Sequence, residues 1–522
     1  MRTRTTRSAG AVASAVALSA TTILTIGGPG VAAAGAVPAT SAAPPCGTTP
    51  YNLLPSTLPN ITIFNPWCDP TSADPTATFA SLDGSTVYAG IIDDSPAGGF
   101  TAGGQSAYRV EVPRHWNGTL VMFAHGYAGT GTTVGVDDAT LRQYYVDHGF
   151  AWAASSYAMN GYDVGTGVVD THDLLEAFPS ITGHRPRSVL MSGLSMGGAI
   201  TAVEIEHYRN TFVGAMPYCG VIGGNDLFNF FLGANVTAAA VTGTSISFPS
   251  VSGAAAYAPT YDAQVLSELP KLGISTTSPH TTDLTALGRE WANAVEHQSG
   301  GIRPGFASAI SYWDAPGFPS GSQLPFLFGL YPGLTGGGIG YLTGNVTDNT
   351  RTFYDFSPRP GYFDPGSLEL NEQALRVSRT VPFSTDPTAT ELPDVTGTPG
   401  IPVVSVHGIG DLFVPFSMEQ DYARLADAHG QGYLFVSRAI REVGHCDYTQ
   451  PELQSAFASL VNWIHTGQRA AGDNILDPRA VSSPTFGCRF TVGPHPAFQG
   501  VACPTGGDRG QQDGQGQNQQ GD

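Results

Sequence analysis

Apolar and polar positions first alternate clearly at Ser106–Val112, which predicts a strand with one buried face. Thr119–Ala124 (TLVMFA) is an unbroken apolar run, the pattern of a strand buried on both faces. Helical spacing follows over Asp137–His148, with Gly149 placed to end it. Phe150–Ser155 reads as a strand, and Val168–Phe178 as a helix with Pro179 just beyond. Ser188–Ser192 (SVLMS) reads as another strand, Gly197–Tyr208 as a helix, and Phe212–Tyr218 as a strand. Strands alternating with helices predict a parallel sheet with helical crossovers. The rhythm breaks from about Val221 to Gly400, a tract rich in Gly, Pro, Thr, Ser and aromatics, in which Leu284–Glu296 reads as a helix. It returns with a strand at Ile401–Val406, a helix at Phe416–His429, a strand at Tyr433–Glu442 and an amphipathic helix at Pro451–His465.

This pattern predicts an α/β fold: a mostly parallel central sheet flanked by helices, with a large inserted cap. The expected divisions are a signal peptide at 1–36 and an irregular N-terminal arm at 37–80. A first part of the core at 81–221, the cap at 222–399, and the rest of the core with a C-terminal extension at 400–504 follow. A disordered tail at 505–522 completes the expectation. The signal peptide rests on Arg2, Arg4 and Arg7 ahead of the apolar stretch from Ala9 to Ile26 and small residues around Val31–Ala36. The tail is rich in Gly, Gln and Asp and poor in apolar residues.

Composition narrows the function classes. With 42 acidic and 23 basic residues the net charge is −19, which disfavours nucleic acid and anionic lipid as partners. After the signal stretch no run is long and apolar enough for a membrane anchor. The six cysteines of an exported chain predict disulfides. Sequence proximity favours Cys46–Cys68 and Cys488–Cys503, leaving Cys219 with Cys446; no CxxC pair or HExxH points to zinc. The composition does not define an oligomeric state.

Four short segments carry candidate chemistry, each just after a predicted strand. Gly193-Leu194-Ser195-Met196-Gly197 follows a buried strand and opens a helix. That is the context of a nucleophile elbow, in which a sharp turn exposes the serine oxygen above the sheet. His125-Gly126-Tyr127-Ala128-Gly129 is placed to supply an oxyanion-hole N–H from Tyr127, beside that of Met196. His125 itself reads as a structural hydrogen bonder. Asp411, in the loop His407–Pro415, is the expected acid, and His445, in Val443–Asp447, the expected base. The order Ser195, Asp411, His445 is the serine–acid–histidine order of an α/β-hydrolase.

On these motifs, segments Tyr108–Gly220 and Pro402–Gly467 resemble the α/β-hydrolase superfamily, and within it exported actinobacterial esterases and lipases with an inserted cap. There is a partial likeness to the tannase and feruloyl esterase group. In that group a cysteine beside the serine bonds to one after the histidine; here Cys446 follows His445, but Leu194 precedes Ser195. The resemblance implies a secreted carboxylic ester hydrolase working through an acyl-enzyme, with a small-molecule or polymer ester as substrate and neither cofactor nor metal. A peptidase or amidase would use the same triad. A non-catalytic binding protein of this fold is disfavoured because no triad member is missing. Trp291, Tyr312, Trp313, Phe326, Phe328, Tyr331 and Tyr341 of the insertion could line an apolar pocket, though most are expected to pack the insertion's own core.

Overall fold

The computed structural model describes residues 45–47, 52–98, 103–246, 254–275, 283–313, 324–329 and 345–504. The expected signal peptide and tail, and Tyr331 and Tyr341, lie outside the described residues. In chain order the strands are β1 (Leu53–Pro55), β2 (Thr62–Phe64), β3 (Ser85–Asp93), β4 (Gln105–Pro113), β5 (Thr119–Ala124), β6 (Thr133–Val134), β7 (Ala151–Ser155), β8 (Ser188–Leu194), β9 (Gly214–Tyr218), β10 (Val403–Gly408) and β11 (Phe435–Ile440). Eight of them form one sheet in the order β11-β10-β9-β8-β5-β7-β4-β3. The β3–β4 and β4–β7 pairs are antiparallel, and every other pair in that sheet is parallel.

The unbroken apolar runs are explained by two cores, one on each face of this sheet. Along β5, Leu120, Met122 and Ala124 enter one cluster while Val121 and Phe123 enter the other. Successive strand side chains point to opposite faces, so a strand covered on both sides needs apolar residues at every position. Helices α2 (Val164–Thr182), α3 (Met196–His207) and α10 (Ser417–Ala428) supply Phe178, Ile200 and Tyr422 to the first core. Helices α1 (Arg142–Asp147) and α11 (Gln450–Thr466) supply Tyr145 and Phe457 to the second. A mostly parallel sheet between two helical layers is the α/β-hydrolase fold expected from the sequence.

Several boundaries differ from expectation. Strand β3 was not evident in the sequence because it is an edge strand, half exposed along most of its length. Pro179 lies inside α2, which Asp163 caps by accepting the Thr166 N–H at 2.8 Å and which ends at left-handed Gly183. Only one short stretch of helix follows this proline, so the lost ladder bond is tolerated. Helix α1 starts at Arg142, not Asp137, because Asp138 is drawn to Arg109 and Arg142 at 3.2 and 3.7 Å.

The N-terminal arm is also more ordered than expected. Strands β1, β2 and β6 form a small sheet, and Cys46–Cys68 closes the segment before Arg109. The buried Arg109 guanidinium donates to the carbonyls of Pro66 (2.9 Å), Cys68 (2.9 Å) and Val136 (3.3 Å) and lies 3.9 Å over the Phe79 ring.

Between β9 and β10 run α4 (Asp226–Thr242), α5 (Ala254–Leu272), α6 (Ala286–Gln298), α7 (Phe306–Trp313), α8 (Phe326–Gly329) and α9 (Gly366–Gln373). Helix α4 is buried on almost every side and packs against α5, α6, α8 and α9. Trp291 donates its indole N–H to Ala234 O at 2.8 Å and stacks on Phe328 at 5.4 Å. Trp291, Trp313, Phe326 and Phe328 are buried and Tyr312 is half-buried, so these aromatics chiefly build the core of this region.

Removing the Arg109 guanidinium strands three buried carbonyls and empties the space under Phe79. Arg109→Ala is expected to lower unfolding stability by about 3 kcal/mol, measured by denaturant titration. A loss below about 0.5 kcal/mol would show that the arm is not held this way.

Candidate active site

Ser195 sits between β8 and α3 with φ 56° and ψ −121°, a conformation that an L residue rarely adopts. The surrounding backbone is so close that only glycine fits two residues before and two residues after it. A Cβ at Gly193 would lie 2.2 Å from the Gly197 carbonyl oxygen, and one at Gly197 would lie 2.1 Å from Ala124 O, at the end of β5. This turn presents Ser195 above the carboxyl ends of the strands, with the N-terminus of α3 directly behind it.

Asp411 follows β10 and is fully buried. Its Oδ1 accepts the N–H groups of Phe413 (2.8 Å) and Val414 (3.1 Å), which fixes the carboxylate plane. Its Oδ2 lies 2.6 Å from His445 Nδ1. The other ring nitrogen, His445 Nε2, lies 2.8 Å from Ser195 Oγ. One hydrogen-bonded chain thus joins three residues from three strand-end loops. Asp447, the nearest alternative acid in sequence, is exposed.

Tyr127 and Met196 flank the serine. Met196 is the first residue of α3. Tyr127 follows Gly126, whose backbone approaches so closely that a Cβ there would lie 3.1 Å from Ser195 Cβ. His125 is buried, stacks on Tyr157 at 4.0 Å and has Nδ1 2.7 Å from Gly126 O, the structural role expected of it.

Two devices hold the histidine loop. Cys219, at the end of β9, is disulfide-bonded to Cys446, with a Cα–Cα distance of 5.3 Å. The Cys219 N–H also donates to Val406 O at 2.8 Å, which ties the bond to β10. The two pairings expected from sequence proximity and the one left over, Cys219–Cys446, are all present.

The second device was not evident in the sequence. Glu442 Oε1 accepts the N–H groups of Val443 and Gly444, both at 2.7 Å. Its Oε2 pairs with His495 Nδ1, and His495 Nε2 lies 2.9 Å from Glu452 Oε1 at the start of α11. His495 therefore clamps the loop to the helix behind it. Its only sequence signal is a glutamate ending a strand three residues before a histidine, which by itself points nowhere.

Burial pulls the His495 imidazole pKa down, but its bonds to Glu442 and Glu452 outweigh that and raise it to about 9. A pKa raised on folding contributes stability that is complete below the unfolded value of about 6.5 and lost as pH rises through about 9. Melting temperature measured across this interval should therefore fall more steeply for the wild type than for His495→Gln. Parallel curves for the two proteins would show that this charge is not part of the clamp.

No family model matches the chain. In sequence it is similar to the o-phthalyl amidase of Xanthobacter agilis, 22% identical over 404 residues, covering 70% of this chain and 86% of the relative. Among solved structures it is similar to feruloyl esterase B from Aspergillus oryzae, with a TM-score of 0.39 and 14% identity over 77% of this chain and 85% of the other. It is also similar to the rice cell wall degrading esterase LipA from Xanthomonas oryzae, with a TM-score of 0.33 and 13% identity over 73% and 89%.

Proposed function

We propose that this chain is an exported serine hydrolase that cleaves carboxylic esters through an acyl-enzyme. The observation that carries the reading is the hydrogen-bonded chain Ser195–His445–Asp411, built on a turn that admits only glycine at positions 193 and 197. His445 Nε2 takes the Ser195 proton as the oxygen attacks the carbonyl carbon. Asp411 keeps the other ring nitrogen protonated and stabilises the imidazolium. The N–H groups of Met196 and Tyr127 are proposed to receive the oxyanion, a role in which one donor is typically worth about 3 kcal/mol. His445 then protonates the leaving alcohol, and water repeats the cycle on the acyl-enzyme. The cycle calls for neither cofactor nor metal.

The segment 222–399 is proposed as the cap. The Phe413 ring, which lies 4.8 Å from the His445 ring, packs against Trp313 and Phe326 of that segment. An apolar wall beside the imidazole favours an apolar acyl or aryl group on the substrate. Export is supported by three disulfides, which persist in oxidising compartments. No helix among the described residues is long and apolar enough to cross a membrane.

Amide hydrolysis is the second reading, favoured by the similarity to an o-phthalyl amidase. The same residues would serve, with His445 protonating an amine. Matched aryl esters and anilides of one acyl group separate the two readings. The ester reading expects kcat/KM higher for the ester by more than the intrinsic reactivity ratio of the two substrates, and a preference for the anilide would replace it.

Ser195→Ala is expected to abolish turnover while leaving the circular dichroism spectrum unchanged, and a fluorophosphonate should label Ser195 alone in the wild type. Asp411→Asn should lower kcat by about three to four orders of magnitude, because the wrong imidazole tautomer is then favoured. Asp447→Asn should change it by less than about tenfold. Strong loss in Asp447→Asn with a mild effect of Asp411→Asn would reassign the acid.

A further inference from the structure

The acid and histidine loops follow neighbouring parallel strands, β10 and β11. Backbone bonds join them as they leave the sheet: Ile409 N–H to Ile440 O and Gly410 N–H to Glu442 O, both at 2.8 Å. Beyond those bonds the two loops are joined by the Asp411–His445 bond and by the Gly408 N–H donated to Tyr448 Oη at 2.8 Å, and the insertion adds a further connection. Trp313, the last residue of α7 and 1% exposed, directs its indole N–H between two carbonyl oxygens. One is Gly410 O at 3.2 Å, immediately before Asp411, and the other is Val443 O at 2.8 Å, two residues before His445.

We propose that Trp313 is a positioning residue for the reaction: its shared N–H sets the spacing of the Asp411 and His445 loops, and so the reach of His445 Nε2 to Ser195. This rests on the triad reading given above. One donor bonded to two loops ties their separation to a rigid ring, whereas a separate donor to each loop would leave the loops free to slide past one another.

Two further groups of contacts support this. The Trp313 ring lies 4.8 Å from Phe326 and 6.2 Å from Phe413, and Phe413 in turn lies 4.8 Å from the His445 ring. The same indole therefore also backs the apolar side of the imidazole. Arg303, just before α7, is buried and donates to Ile409 O and to the carbonyls of Gly301 (2.9 Å) and Glu296 (3.2 Å). It fixes the start of α7 to Ile409, the neighbour of the Gly410 that Trp313 holds. Catalytic geometry is sensitive at this scale, since a displacement of about 1 Å from a distant change can slow a reaction about a hundredfold.

The test uses Trp313→Phe in the full chain, which keeps an aromatic ring and removes the donor. The substrate-independent readout is the rate at which a fluorophosphonate reacts with Ser195; the second is kcat against KM on an aryl ester. The expectation is a phosphonylation rate and a kcat both lower by about 10- to 100-fold, with KM within about twofold. A lowered melting temperature with unchanged phosphonylation would overturn the proposal, because a merely structural residue behaves so. If Trp313→Phe does not fold, benzothienylalanine placed at position 313 decides, since its sulfur replaces only the N–H; unchanged rates there overturn the proposal. Failure of the wild type to label at Ser195 would instead remove the triad reading on which it rests. Labelling at Ser195 with equal rates in the variant removes the Trp313 role alone.

Discussion

Backbone crowding at one turn is the constraint on which the site depends. Ser195 holds a positive φ, a conformation that costs of the order of 1–3 kcal/mol and persists only when its surroundings leave no alternative. The surroundings here are the Ala124 carbonyl at the end of β5, the first turn of α3, and Gly220, whose Cα would lie 2.4 Å from a Cβ at Gly198. The first two belong to a buried strand and a buried helix, and Gly220 is a buried residue just past β9. The sheet therefore does more than carry the serine: its close-packed central strands force the turn that aims its oxygen at His445. The same strain recurs at both cysteines of the 219–446 disulfide, with φ of 43° and 61°, so three of the seven non-glycine residues at positive φ among the described residues lie within one small region.

The acid and the histidine are held differently. Their loops extend past the end of the sheet and rely on side chains from elsewhere in the sequence. A disulfide from the end of β9, a clamp in which His495 joins Glu442 to Glu452, and an arginine and a tryptophan from the segment between β9 and β10 all converge on them. That segment also touches the stretch after α11, since the Gln499 N–H donates to Ser308 Oγ at 3.2 Å. Segments that could pass for additions to a core thus form part of the frame of its site.

What could be read from the sequence follows from how each feature is encoded. Strands β5, β8 and β10 were evident because burial on both faces demands an unbroken apolar run. Ser195 and Asp411 were evident because each follows such a run at a short, glycine-marked loop, and His445 because a glycine-marked loop follows the strand pattern of Tyr433–Glu442. Edge strand β3 has no comparable constraint on its exposed side, and the N-terminal arm is ordered through carbonyl oxygens accepting from Arg109, which any residue type could provide. Trp313, Arg303 and His495 were hidden for the same reason. Trp313 and Arg303 act on backbone carbonyls far away in the chain, and His495 pairs with carboxylates 53 and 43 residues distant, so no local spacing records them.

The clamp on the histidine loop has a consequence for the order of assembly. Ser195 and His445 are 250 positions apart, and the Glu442–His495 contact reaches 53 positions beyond the first of its partners. Contacts of such sequence separation close late in folding, because the loop entropy they must overcome is large. A growing polypeptide carries its strained serine well before it carries the imidazole that lies against it, and the imidazole arrives before the residue that steadies its loop. If the proposed reaction holds, a nascent or C-terminally clipped chain has a finished elbow and still lacks an aligned base, which delays reactivity until almost the whole sequence has been threaded into the fold.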